Sequence, residues 1–281
     1  MSALPKERVA LCLQQLPPLP QVVSELLASF AHEDDVDVER LAHQISRDQA
    51  ITARVLRVAN SSFYGLQSKV ATIPDAVVVL GFRAVRSLVL AVGVNCTFFA
   101  DRCRGFDAEA YRRHGIGTGM VAASLSEMAG SNRELAFTAG LLHDIGQLAL
   151  AANFSMEYTK VLEYRAGKDC STLAAERDVM GTDHAQVGGM LAEIWHFPES
   201  LRQALAGHHE PGRAAADSLA NLIHIADAAA HALELSHQSG EMVMPIDPVA
   251  WQRIGGDWQA FRRILPQIET NFAETCHSLQ S

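Results

Sequence analysis

Apolar residues recur at helical spacing along most of this chain, and no stretch alternates convincingly as a strand would. The expected fold class is therefore all-α. With 281 residues, 48% of them hydrophobic, a sizeable core can be buried. The tract Leu16-Pro17-Pro18-Leu19-Pro20 breaks the first helical stretch, because proline fixes φ and offers no N–H. Val36 to Ile45 and Gln49 to Val58 read as short amphipathic helices, with Ile51, Val55 and Val58 on one face. Asn60-Ser61-Ser62-Phe63-Tyr64-Gly65 ends the second, and Pro74 can open the next. The most apolar run, Ala76 to Val94, carries Arg83 and Arg86 and is read as buried helix broken near Gly81, with no membrane span.

A second half is expected from about Asp107, after the polar break Asp101, Arg102, Arg104 and Gly105. The reading is an N-terminal helical lobe over 1–105, packed as one unit on a helical lobe over 106–281. Asp107 can cap a helix running to about Ala129. Ser131 to Glu134 has capping-box spacing, with Ser131 at the cap, before a helix over Leu135 to Leu142. Further helices are expected from Asp183 to Trp195, Pro198 to Gly207, Ala214 to Ala232, and Asp257 to the C-terminus.

The net charge of -9 argues against a general nucleic-acid or anionic-membrane partner. Five cysteines without a C-x-x-C pair fit reduced thiols, and MSALPKERVA shows no signal-peptide pattern. A cytoplasmic location is expected.

Metal-ligand residue types mark the second half: His114, His143-Asp144, His184, His208-His209-Glu210, then His224 and Asp227 three apart on one helix face. Imidazole with carboxylate suits iron, manganese or zinc. Each piece has an ordinary alternative. His208 and His209 could meet the negative end of the preceding helix, and Asp144 could cap a turn. Asp227 could be solvated, although its apolar flanks would bury a carboxylate that then needs a partner. His32, His43, His231, His237 and His277 are assigned no role, and His196 is read as packing beside Trp195.

The ordered series H, HD, H, HH, D resembles the HD superfamily of metal-dependent phosphohydrolases, and the HH before the last Asp is similar to its HD-GYP branch. That resemblance implies His114, His143, Asp144, His184, His208, His209 and Asp227 as metal ligands. It also implies metal-assisted attack of water on a phosphodiester. Two departures stand out. Gln147 occupies the place of a lysine that would meet substrate phosphate, and Pro211-Gly212-Arg213-Ala214 stands where G-Y-P is expected. The motifs Ile45 to Ala50, Val58 to Gly65, Gly140 to Gly146 and Asp183 to Gly188, with Trp195 and Pro198, resemble the HDOD family over about residues 8–235. The HDOD resemblance implies a bacterial signal-output module tied to networks such as cyclic di-GMP signalling. It would act through protein or ligand contacts, with a signalling protein in trans and with a nucleotide or cyclic dinucleotide as candidate ligand. A metal-dependent phosphohydrolase and a helical scaffold lacking metal are the alternatives carried forward.

Overall fold

The computed structural model describes residues 6–16, 18–29, 36–95, 98, 100, 102–238 and 242–280, and among them there is no strand. Pro17, His32 and Cys96 lie outside the described residues, as does the side chain of His277. Sixteen α-helices follow in order. They are α1 (Lys6–Gln14), α2 (Gln21–Ala28), α3 (Val38–Arg47), α4 (Gln49–Ala59), α5 (Ile73–Leu80), α6 (Phe82–Asn95), α7 (Ala108–Leu125), α8 (Arg133–Leu142), α9 (Ile145–Asn153), α10 (Ser155–Lys168), α11 (Thr172–Met180), α12 (His184–Ile194), α13 (Glu199–Gly207), α14 (Leu219–Ala232), α15 (Pro248–Arg253) and α16 (Trp258–Gln280).

Local chemistry sets most of these boundaries. Asp48 ends α3 and caps α4, accepting from the backbone N–H groups of Ala50 and Ile51. Gly81, at φ 86, separates α5 from α6 inside the apolar run. Asp107 caps α7 as expected, but α7 ends at Leu125, short of Ala129. The cap of α8 is Asn132, which accepts from Leu135 N, so Ser131 is not the capping residue. A 3-10 turn at Pro211–Arg213 and the Ser218 cap delay α14 to Leu219.

Two close crossings position the second half. At the α7–α8 crossing a Cβ on Gly140 would lie 2.6 Å from Gly119 Cα, so only paired glycines let these backbones approach. At the α9–α12 crossing a Cβ on Gly146 would lie 1.9 Å from the His184 carbonyl oxygen. The N-terminal helices join this framework through α6 against α8, and α16 returns to pack on α7 and α4. Phe63 stacks on Phe137 at 4.8 Å and Phe98 meets Trp195 at 5.7 Å. One contiguous core therefore includes residues from both halves.

Arg133–Asn153 is the one described run long and apolar enough to cross a membrane, with mean hydropathy 1.3, but 72% of it is buried inside the protein. It is also broken by His143 and Asp144, between α8 and α9.

Candidate metal centre

All seven residues singled out by the resemblance converge. Asp144, His184, His208 and His209 offer donor atoms within 4.8 Å of one another, and so do His114, His143 and Asp144. A third such group joins His114 and Asp227 to His231. Asp144 sits between the first two groups. Its Oδ1 lies 3.2 Å from His184 Nε2 and its Oδ2 lies 3.4 Å from His143 Nε2. Although it stands at the start of α9, Asp144 makes no side-chain capping bond there, so its carboxylate is free to face the cluster.

The ring orientations show what the cluster is built to hold. His143 Nδ1 is 2.7 Å from the Gly140 carbonyl, and His208 Nδ1 is 3.0 Å from that of Leu205. His184 Nδ1 is 2.6 Å from Glu176 Oε2. A carbonyl or carboxylate oxygen can only accept, so in each ring the proton sits on Nδ1 and the Nε2 lone pair points inward. These Nε2 atoms lie close to further ring nitrogens. His184 Nε2 lies 2.8 Å from His209 Nε2, and His143 Nε2 lies 3.2 Å from His114 Nε2. Nitrogens and carboxylate oxygens grouped in this way can be held together by protons on some of the rings or by a metal ion among them. The buried atoms Asp144 Oδ1 and His208 Nε2 have no hydrogen-bond partner, consistent with the same need. The donor set of nitrogen and carboxylate oxygen fits iron, manganese or zinc.

The electrostatics agree. Burial opposes charge on Asp144 and Asp227, yet the surrounding histidines hold both carboxyls well below the usual range. Burial likewise disfavours the His184 imidazolium, but Glu176 and Asp144 overcome it and raise its pKa to about 9. Burial prevails at His208 and His209, whose pKa values fall. With no other cation, protons on some of the rings balance the carboxylates. A divalent ion would take over that role.

Glu176 is a supporting residue that sequence reasoning missed. It is fully buried, accepts from His184 N at 2.8 Å and from Tyr158 Oη at 2.8 Å, and fixes the His184 ring. Its motif-free position on the unanticipated helix α11 gave no signal. His231, assigned no role from sequence, stacks on His114 at 4.3 Å with Nε2 3.3 Å from Asp227 Oδ1. That is a correction, and the i,i+4 spacing from Asp227 to His231 was the available signal. His224 points away: its Nδ1 lies 2.9 Å from the His208 carbonyl and its Nε2 accepts from Asp247 N. Glu210 pairs with Arg177 and Arg213 outside the cluster. His196 does not pack; it is exposed in a left-handed turn.

The cluster opens onto a cavity of about 90 Å³ lined by Asp144, Gln147, Tyr158, Arg165, His184 and His209, among others. Gln147 thus stands beside the centre, where the resemblance placed it. The same cavity also has the guanidinium of Arg165, which the sequence argument did not anticipate.

This fold and this cluster define an all-α, HD-superfamily, signalling-type module. The HDOD domain profile matches residues 16–211, and the chain belongs to the HDOD domain family. A structure of an HDOD domain protein of unknown function from Geobacter sulfurreducens superposes with a TM-score of 0.77 at 21% identity, covering 99% of both chains. A candidate phosphohydrolase from Shewanella amazonensis SB2B gives 0.77 at 25% identity, over 96% of this chain and 97% of that one. A second Shewanella amazonensis SB2B protein, a candidate metal-dependent phosphohydrolase, gives 0.58 at 19% identity, over 94% and 91%. An uncharacterised protein of Treponema pallidum (strain Nichols) is 25% identical over 201 residues, 70% of this chain. The aligned region spans only 38% of that relative.

Proposed function

We propose that this chain is a regulatory output module that retains a divalent-metal centre and acts through contacts with a signalling protein in trans, in the cytoplasm. One observation carries the reading: a convergent His/Asp cluster faces a cavity of only about 90 Å³. Sites for nucleotides and other small molecules run from roughly 300 to 1,000 Å³. The cavity suits an ion with water or one phosphate-sized anion, and is too small for a whole nucleotide. The metal then acts on structure and state. When bound, a divalent ion would be held by His114, His143, Asp144, His184, His208, His209 and Asp227, and would supply charge that locks α7, α8, α12 and α14 together.

A second reading, metal-dependent hydrolysis of a nucleotide or cyclic dinucleotide, is favoured by Arg165 on the cavity wall and by the complete ligand set. In this reading the ion held by the seven residues would supply Lewis-acid charge for hydrolysis of a phosphodiester. The two readings separate in a hydrolysis assay of manganese-, iron- and zinc-loaded protein with bis(p-nitrophenyl) phosphate and cyclic di-GMP. The regulatory reading predicts no turnover above the metal-only background, both for the wild type and for Gln147→Lys. Turnover that vanishes in Asp144→Ala would overturn it in favour of the hydrolase.

A further inference from the structure

A second cavity, of about 460 Å³, lies at the seam between the two halves, bounded by α4, α6, α7, α8 and α16. Its volume falls within the range of sites that take a small molecule. Its body is apolar: half-buried Val92 of α6, Ile116 of α7 and Leu141 of α8 line it, with Phe63. Its remaining wall is cationic. Arg57 on α4 and Arg113 on α7 contribute guanidinium groups to it, beside Arg54 and Arg112, which have partners of their own. The one carboxylate in the lining, Glu109, is already paired with Arg112 at 2.6 Å. Such a concentration of positive charge departs from a chain whose net charge is -9.

Two polar atoms in this wall are buried without a hydrogen-bond partner, Thr275 Oγ1 and Arg113 Nε. Thr275 is only 2% exposed. Arg113 lies over the ring of Phe272, one turn before Thr275 on α16, so both groups belong to one corner of the cavity. A buried hydroxyl and a buried guanidinium nitrogen left unpaired are costly, and each would bond an anionic oxygen.

We propose that this seam cavity binds an amphiphilic anion, with its carboxylate or phosphate head at Arg113, Thr275 and Arg57 and its apolar body against Phe63, Val92, Ile116 and Leu141. The site includes none of the residues of the candidate metal centre, although Tyr111 lines both cavities. Isothermal titration of the full chain with dodecanoate and with dodecyl phosphate, both below their micellar concentrations, tests it. The expected result is saturable one-to-one binding of at least one of them in the micromolar range. Binding of only one identifies the head group. Thr275→Val, which keeps the side-chain shape, and Arg57→Gln/Arg113→Gln are each expected to weaken it about tenfold. Val92→Trp, filling the cavity, is expected to abolish it, with thermal unfolding showing that each variant folds. Failure of both anions to saturate, equal binding of dodecyltrimethylammonium, or unchanged binding in the variants would overturn the proposal.

Discussion

At the scale of single residues, the centre is organised by what holds each imidazole from behind. Glu176 holds His184 and is itself anchored by Tyr158. Removing such a support typically costs 10- to 100-fold in metal affinity. Glu176→Gln is expected to show a loss of that size in chelator competition. Glu176→Ala, which leaves several buried donors unpaired, is expected to cost a further 1–3 kcal/mol or more of stability in denaturant unfolding. Protonation makes a second prediction for chelator-treated protein. His184 has a folded pKa of about 9, above the ordinary 6.5, so its stabilisation is complete below pH 6.5 and lost as pH rises through 9. His208 and His209 have depressed values, so their burial costs stability as pH falls below 6.5. Thermal midpoints should therefore peak near pH 6.5 and decline through pH 9. Metal-loaded protein should lose that alkaline decline, because the ion needs neutral rings. The residues of the cluster were legible from residue types and their order. Glu176 was not, since one glutamate in a polar stretch carries no signal until the fold buries it.

At the scale of elements, caps and glycines do the positioning. Helices with a strong apolar stripe or an Asp or Asn cap could be read from the sequence, and α3, α4, α7, α8, α12 and α13 fall within a few residues of expectation. Helices α9, α10, α11 and α15 were passed over. Helix α9 follows directly on the helix end expected at His143-Asp144, α10 fully buries only Tyr158 and Val161 among its described residues, α11 is short and mixes five apolar with four polar residues, and α15 has six residues. The crossings were also invisible, because Gly140 and Gly146 look like turn residues until another backbone is brought against them. Gly146→Ala is therefore expected to destabilise by about 3 kcal/mol or more and to empty the centre, since the added methyl meets the His184 carbonyl. In Gly167→Ala the added methyl meets nothing within 4 Å. This change in helix α10 should stabilise by about 0.5–1 kcal/mol, a gain readable as a raised Tm with metal content unchanged. Helix α7 has the widest reach, carrying His114 and, through Tyr111, forming part of the wall of both cavities.

At the scale of the whole molecule, the division we propose at residue 105 separates two lobes that stabilise each other. Helices α4 and α6 cover apolar faces of the second half, and Phe63 and Phe98 reach across to Phe137 and Trp195. Calorimetry of the full chain should then show one cooperative transition. A protein beginning at 106 should be far less stable, through exposure of the α8 face that α6 covers. The all-α class and the family membership were both legible from pattern and motif order. The convergence of these seven side chains was not, because it depends on helix crossings that one sequence does not display. That convergence is also the centre of the functional account. Its most direct test is elemental analysis of protein purified without chelator, wild type beside His143→Ala/Asp144→Ala. The account predicts about one to two equivalents of iron, manganese or zinc in the wild type and loss of metal in the variant, from the open nitrogen–carboxylate geometry. No metal in either protein after anaerobic reloading would contradict it.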